Sequence, residues 1–192
     1  MERGNKMKKE IKGNMLFAPL PVIMLGTFDE NGVPNVMNAA WGGQVDTNVI
    51  VVSLSQHKTT DNLRKCPELT IAFATEDSAV VSDYFGIESG RKVNKVEKAE
   101  VSWTKSEKVN APIFDCYPLT LEARVQRIDE EDGYWFFEVV GMVADEGVLD
   151  EKGKVDYSKC RFISFDSSHN SYRTVAEETA KAFHSGLTIR NK

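Results

Sequence analysis

The chain has 192 residues, of which 41% are hydrophobic and 28% charged, and its net charge is −5 at neutral pH. This composition is typical of a globular protein, and we predict a single domain over residues 1–192, because two separate cores would be crowded at this length. Acidic and basic residues are interleaved without a long basic block, which argues against nucleic acid or an anionic membrane surface as a partner.

The first residues are polar, and we expect a flexible N-terminus over residues 1–14. The apolar run at 15–26 follows basic residues, as the core of a signal peptide would, but Pro19 and Pro21 interrupt it. We therefore predict that this run leads into a strand and a hairpin. No stretch of the sequence is apolar for long enough to span a bilayer.

Runs rich in β-branched and aromatic residues, bounded by turns that carry glycine, predict a sheet. The predicted strands are residues 22–28, 33–45, 49–55, 69–74, 119–128, 134–144 and 161–165, the last strand of the chain. Short helices are predicted from Thr59 or Thr60 to Cys66, at 78–85 and at 174–184, and residues 91–110 are predicted to be partly helical. Strands joined by Gly-bearing turns, without regular βαβ alternation, favour a mainly β fold: an antiparallel barrel, closed or nearly closed, with a few short helices.

The metal-binding residue types are few. Cysteine occurs at 66, 116 and 160 and histidine at 57, 169 and 184, without CxxC or HxxxH spacing. We therefore expect no metal site. An odd number of unpaired-looking cysteines is typical of reduced thiols, so we expect a cytoplasmic protein.

A run of small residues at the end of the second predicted strand is the first candidate site. It consists of Asn38, Ala39, Ala40, Trp41, Gly42 and Gly43. Small residues let a flat ring approach the backbone, and Asn38 would add a side-chain hydrogen bond. The same residues equally suit a plain strand end with Trp41 in the core.

A polar cluster after the third predicted strand is the second candidate site. It consists of Ser53, Ser55, His57, Lys58 and Thr59. Hydroxyl and amide donors with a lysine at a helix N-terminus are suited to a phosphate dianion, although a solvated connection has the same composition. Asp61 opposes phosphate binding unless it faces away. Since only one strand separates the two candidates, they could line one groove, with a ring at one end and a phosphate at the other.

The sequence contains no GxSxG elbow, P-loop or GxGxxG fingerprint, and we predict no catalytic side chain. Chemistry would then belong to a bound cofactor, which the protein positions.

Two segments carry a resemblance: PLPVIMLGTFDENGVPNVMNAAWGGQV at 19–45 and VIVVSLSQHKTTDNLRKCPELTIAF at 49–73. With looser matches at 83–99, 117–128 and 171–183, the chain resembles the flavin reductase-like, FMN-binding split-barrel family, close to its flavoredoxin-type members. The resemblance implies a split antiparallel β-barrel, FMN bound without a covalent link, and a homodimer with FMN near its interface. It also implies NADH or NADPH as electron donor, or relay of electrons to a redox partner protein.

Carried onto this chain, the resemblance aligns Asn38, Ala39, Ala40 and Trp41 with the segment along the isoalloxazine ring. It aligns Ser53, Ser55, His57, Lys58 and Thr59 with the phosphate segment, and Lys95 with a basic loop position that often reaches the flavin. His57 and Lys58 stand where Arg-His is common, so which of them meets the phosphate stays open. His169 and Tyr172 lie where a nicotinamide-contacting motif would sit.

Three functions follow as hypotheses. The first is an FMN-dependent oxidoreductase that passes hydride or electrons from NAD(P)H to an unidentified acceptor. The second is an electron carrier of flavoredoxin type without its own NAD(P)H site. The third is a barrel that binds another ligand, such as haem or a pyridoxal-type phosphate, or none.

Overall fold

The computed structural model describes residues 7–12, 17–175 and 177–190. Of the predicted flexible N-terminus, residues 7–12 have no regular secondary structure and the rest lies outside the described residues. The strands are β1 (Leu20–Pro21), β2 (Ile23–Phe28), β3 (Pro34–Ala39), β4 (Gly42–Asp46), β5 (Val49–Ser53), β6 (Glu68–Phe73), β7 (Trp103–Lys105), β8 (Pro112–Phe114), β9 (Leu119–Asp129), β10 (Tyr134–Ala144), β11 (Phe162–Asp166) and β12 (Ser171–Val175). The helices are α1 (Lys58–Lys65), α2 (Ala79–Ile87), α3 (Lys95–Lys98), α4 (Tyr157–Cys160) and α5 (Leu187–Arg190), with a 3-10 turn at Glu146–Val148.

A curled antiparallel sheet dominates the described part of the chain. Its strand order is β3-β2-β6-β9-β10-β5-β4. The edge strands β3 and β4 are consecutive in sequence and are joined by only Ala40 and Trp41. The two edges of the sheet must therefore lie next to each other at this connection. Accordingly, a Cβ at Gly42 in β4 would lie 3.2 Å from Cδ1 of Ile23 in β2. The predicted mainly β fold, a split antiparallel barrel with a few short helices, is confirmed.

Strand β2 is buried on both faces. Ile23 and Leu25 point into the barrel, where they pack with Trp135 and Phe137 of β10. Met24 points outward and packs with Phe85 of α2 in a second cluster. A strand covered on both sides has no polar face, which explains why the sequence of β2 lacks the alternation seen in β9.

Gly26 in β2 has no room for a side chain. A Cβ there would collide with Oγ1 of Thr70 and lie 2.9 Å from a ring carbon of Phe114. We expect Gly26→Ala to lower the free energy of unfolding by about 3 kcal/mol, because both neighbours are buried and must shift. Urea unfolding measures this loss. Gly147→Ala is the matched control, since nothing lies within 4 Å of its Cβ position; equal stability of the two variants would contradict the prediction.

The Gly-bearing turns predicted between strands are confirmed at three places. Gly32, Gly133 and Gly153 have φ angles of +76°, +72° and +72°, a region that favours glycine. The first of them closes the hairpin of β2 and β3, and Asp29 holds that turn by accepting hydrogen bonds from the amides of Asn31 and Val33.

The single strand predicted at 33–45 is wrong, because the chain changes edge at Ala40 and Trp41. β3 pairs with β2, whereas β4 pairs with β5 on the opposite edge of the sheet. The small residues allow this crossing. A Cβ at Gly42 would lie only 2.7 Å from the backbone oxygen of Val51, so strand β4 could not approach β5 as closely with a larger residue.

The helix predicted at 174–184 is also wrong for its described residues, and residue 176 lies outside them. The chain first forms β12, which pairs with β11, and residues 177–186 are not helical. The strand predicted at 161–165 is confirmed as β11, but it is not the last. The apolar stripe has no surface to pack against, since Ala180 and Phe183 are exposed, and an isolated short helix is not stable in water.

Residues 91–110 are partly helical, as predicted. Only α3 forms within them, and β7 follows and pairs with β8 in a small hairpin that the sequence did not indicate. Within the described ranges, no helix is both long enough and apolar enough to cross a bilayer.

Candidate functional site

A polar cleft of about 250 Å³ opens beside β3, where the start of α1 meets the end of α2 and the loop that leads to α3. Its lining residues are Asn35, Met37, Asn38, Gln56, His57, Lys58, Thr59, Phe85, Gly86, Ile87, Glu88, Ser89, Gly90, Arg91 and Lys95. Most of these side chains come from α1 and from the segment 85–95, which the curled sheet brings against the same edge strand.

Buried hydrogen bonds fix the start of α1 to the hairpin of β2 and β3. Asn35 Nδ2 of β3 donates to Oγ1 of Thr59 at 2.9 Å, and Asn62 Nδ2 donates to Oγ1 of Thr27 at 3.0 Å. All four side chains are buried. Because buried polar groups must keep their partners, this network sets the position of the helix N-terminus relative to β3.

The helix begins one or two residues before the predicted start at Thr59 or Thr60, and its N-cap is His57 instead of a threonine. The His57 amide donates to Oγ1 of Thr60 at 2.9 Å, so Thr60 caps the first turn from within the helix. In the described part of the chain, no acceptor receives the amides of Lys58 and Thr59. Free amides at a helix start, together with the helix dipole, form a site that favours an anion.

Two cations flank this helix start. Lys58 Nζ lies 3.3 Å from Asp29 Oδ2, and Arg91 Nη2 lies 2.8 Å from Asp61 Oδ2. Asp61 lines a different surface cavity and not the cleft, which satisfies the condition that it face away from a phosphate. Its pairing with Arg91 holds that guanidinium at the cleft edge.

His57 is neutral at physiological pH in this setting. Burial lowers the pKa of His57 below its usual 6.5, and the nearby charges of Arg91 and Lys95 lower it further. Its Nε2 forms a 2.9 Å hydrogen bond with Oγ of Ser55. Lys58 and Arg91, rather than His57, therefore carry the positive charge at this end of the cleft.

Lys95 is a buried lysine whose amine borders the cleft. The residue is 4% exposed, and Nζ donates to the backbone oxygen of Phe85 at 2.7 Å. Burial lowers the pKa of Lys95 to about 8, against a weaker opposite effect of Glu88. Burying a lysine cation with so little solvation lowers the stability of the fold. A residue that carries this cost indicates a binding role.

Two glycines allow the backbone of the cleft wall to approach β3 closely. A Cβ at Gly86 would lie 3.2 Å from Cβ of Asn38, and one at Gly90 would collide with Oδ1 of Asn35. Glycine at these two positions therefore lets the end of α2 and the loop after it lie this close to β3.

The structure brings part of the predicted site together. Asn38, His57, Lys58, Thr59 and Lys95 line the cleft.

The other predicted residues lie outside this cleft. They are Ala39, Ala40, Trp41, Ser53 and Ser55. Trp41 is 67% exposed, which excludes the alternative that it fills the core of this chain. The Trp41 backbone oxygen accepts a 2.8 Å hydrogen bond from the Ser53 amide where β4 meets β5. Ser55 is exposed and reaches the cleft only through His57.

The sequence prediction missed Arg91, Asn35, Gly86 and Gly90. The two glycines bracket only three residues, and this close spacing was a usable signal for a tight approach of backbone to a site. Nothing local distinguishes Arg91 from the neighbouring Lys92, because its role depends on the ion pair with Asp61 from another element.

The residues singled out near the end of the chain lie elsewhere. His169 is exposed in the turn between β11 and β12, where it pairs with Asp166 at 3.0 Å, and Arg173 shares that carboxylate. The Cys116 thiol is partly buried, and burial raises its pKa to about 11, so it is an unreactive thiol. Among the described residues, no His, Cys, Asp and Glu side chains group in a way that could hold a metal ion.

Comparison with known proteins identifies the family of this chain. The family described as "Flavin reductase like domain" matches residues 15–159. The flavoredoxin of Desulfovibrio vulgaris (Miyazaki F) is 29% identical with a TM-score of 0.89, covering 94% of this chain and 100% of that one. The flavoredoxin from Methanosarcina acetivorans is 27% identical with a TM-score of 0.84, covering 96% and 100%. An uncharacterized protein of Archaeoglobus fulgidus is 26% identical over 152 residues, which are 76% of this chain and 83% of that protein. Since the family match extends over most of the sequence, the chain belongs to the flavin reductase-like domain family.

Proposed function

We propose that the protein is an oxidoreductase that binds FMN without a covalent link and passes hydride or electrons from NADH or NADPH through it to an acceptor. The observation that carries this proposal is the cleft at the start of α1, where free amides, Lys58 and Arg91 face a site bordered by the buried amine of Lys95. Membership of the flavin reductase-like family and the likeness to two flavoredoxins support the choice of FMN over haem or a pyridoxal phosphate.

The donor set fits a phosphorylated flat molecule. The N-terminus of α1 with Lys58 and Arg91 would hold the phosphate, and Thr59, engaged with Asn35, would keep the helix start in place. Asn38 and Lys95 are anchored on α2 through the backbone oxygens of Ser82 and Phe85, and they would meet the ring. The carboxylates of Asp29 and Asp61 beside the helix start are both engaged by cations.

Bound FMN would supply the redox chemistry through its ring, which accepts hydride at N5. The chain's own residues would bind and orient the cofactor, and a side chain acting as acid or base is not needed for hydride transfer between stacked rings. The buried Lys95 would hold positive charge beside the ring, where negative charge accumulates on reduction.

We further propose a homodimer that completes the site. The exposed apolar side chains of Trp41 and Val45, at the edge strand β4, support a partner surface there. In this assembly Ala39, Ala40, Trp41, Ser53 and Ser55 remain proposed cofactor-binding residues. Light scattering at micromolar protein should give twice the chain mass of 21.5 kDa. The free cysteines support a reducing compartment, the cytoplasm, as the place of action.

The visible spectrum tests the proposed function. We expect purified protein to be yellow, or to take up FMN with a shift of its absorption bands, and anaerobic NADH or NADPH to bleach that absorption. Bound flavin that neither nucleotide bleaches faster than free flavin would leave the electron carrier of flavoredoxin type as the function. Protein that takes up no FMN would contradict both.

A further inference from the structure

An apolar cavity of about 270 Å³ opens beside the paired strands β1 and β11, and it shares no lining residue with the polar cleft. Apart from the hydroxyl groups of Tyr157 and Ser164, every side chain that lines it is apolar. Phe162 packs edge-on against Phe73 and Tyr157, with ring centroids 5.9 Å and 5.4 Å apart. A further aromatic side chain that entered the cavity could make the same kind of contact.

The segment 177–190, which we call the arm, has apolar side chains without a surface to cover them. Phe183 is fully exposed, and Ala180 is exposed as well. The φ angle of Phe183 is +59°, in the left-handed region that bulky residues rarely adopt. In a helix, Ala180, Phe183 and Leu187 would share one face. The arm therefore has the pattern of a helix that packs against an apolar surface, but it does not reach one within its own chain.

The arm begins at the rim of the cavity, and this position decides which cavity it can fill. Val175, the last residue of β12, lines the cavity, and Phe183 follows eight positions later. A helix that continues from Val175 would carry Phe183 about 12 Å away from it, at 1.5 Å per residue. This is farther than a cavity of that volume extends, so a helical arm suits the cavity of another copy and not its own.

We propose that the arm of one chain folds into a helix on a second copy of the chain and inserts Phe183 into the apolar cavity of that copy. In a symmetric pair each arm would fill the cavity of the other chain, as a two-fold interface requires. Strand β1, which lines the cavity, lies beside β4, where Trp41 and Val45 are exposed. The arm contact would therefore continue the partner surface at β4. This inference rests on the proposed homodimer and does not require bound FMN.

A disulfide between copies tests the contact directly. Ser164 lines the cavity, so we expect the double variant Phe183→Cys, Ser164→Cys to form a covalent dimer on a non-reducing gel. Added copper(II) phenanthroline takes up the two electrons that the two thiols release. The two single variants should stay monomeric on the gel, which controls for the native cysteines at 66, 116 and 160. No covalent dimer, or a disulfide closed within one chain, would overturn the inference.

Substitution within the arm measures what the contact contributes. We expect Phe183→Ser to raise the dissociation constant of the dimer about 100-fold, because each of two symmetric arms loses a buried aromatic side chain, worth about tenfold or more. Analytical ultracentrifugation over a dilution series measures this constant. Ile189→Ser is the matched control, since Ile189 is also apolar and exposed but lies on the other side of the helix, and it should leave the constant within about twofold.

A change on the cavity side completes the test. Ser164→Phe would fill the cavity from within, and we expect it to weaken the dimer as Phe183→Ser does, while urea unfolding shows that the chain still folds. Wild-type protein that is monomeric at micromolar concentration would overturn the homodimer together with this inference, whereas FMN uptake, read from the visible spectrum, would stand or fall separately. A wild-type dimer that Phe183→Ser weakens no more than Ile189→Ser does would overturn the role of the arm alone.

Discussion

Lys58→Ala should weaken FMN binding by about 10- to 100-fold, because a charge-assisted hydrogen bond to a phosphate contributes roughly 1.5–3 kcal/mol. Riboflavin, which lacks the phosphate, should bind to the variant as it binds to the wild type. The comparison of the two ligands by fluorescence quenching therefore assigns the effect to the phosphate end of the cleft. Arg91→Ala should show the same selectivity, since Arg91 lines the same end.

Lys65→Ala provides a matched control within the same helix. Lys65 pairs with Glu30 at 2.6 Å, as Lys58 pairs with Asp29 in the same turn, but Lys65 does not line the cleft. Both substitutions remove a lysine and an ion pair at this turn. If both variants lose FMN affinity equally, the effect would be one of charge or stability and the phosphate assignment would be wrong.

The second large effect concerns Lys95 and pH. With a pKa of about 8, Lys95 is mostly protonated at pH 7 and mostly neutral at pH 9. We expect the dissociation constant of FMN to rise with pH across this range, by up to about tenfold per pH unit above pH 8, because binding beside a cation takes up a proton. His57 has a lowered pKa and stays neutral throughout, so it does not contribute. Lys95→Met should bind FMN more weakly at pH 7 and show no such rise.

The stability of the ligand-free protein should respond in the opposite direction. The folded-state pKa of Lys95 is depressed from 10.5 to about 8, so between these values the unfolded chain binds more protons than the folded one. The free energy of unfolding should therefore rise with pH from 8 to 10.5 through this residue, and more in the wild type than in Lys95→Met. Urea unfolding of both proteins at pH 8 and pH 10 measures the difference. Equal pH dependence in the two would show that Lys95 is not a buried cation.

Local sequence determined the regular parts of the barrel. The hairpin of β2 and β3 and the long strand β10 were predictable because apolar runs of strand length are bounded by turns in which Gly32 and Gly133 adopt positive φ. The helix predicted from the amphipathic pattern at 174–184 did not form, because the chain up to Val175 pairs with β11 instead. This strand pairing outweighed the intrinsic preference for helix.

The residues of the cleft likewise fall into those that the sequence could predict and those that it could not. His57, Lys58 and Thr59 were predictable, since a helix start and its polar residues are contiguous in the sequence. Arg91 was not, because its place depends on an ion pair with Asp61 across 30 positions.

The sequence by itself determined the strands, the glycine turns, the membership in a flavin reductase-like family and one cationic helix start. Only the tertiary structure decided that the chain changes sheet edge at Ala40 and Trp41, that Lys95 is buried beside the cleft, and that Asn38 is anchored from α2. The physical reason is that turns and helix starts follow from local dihedral preferences and neighbouring hydrogen bonds. Burial, ion pairing and the direction of a side-chain amide depend on partners that meet only when the sheet has curled.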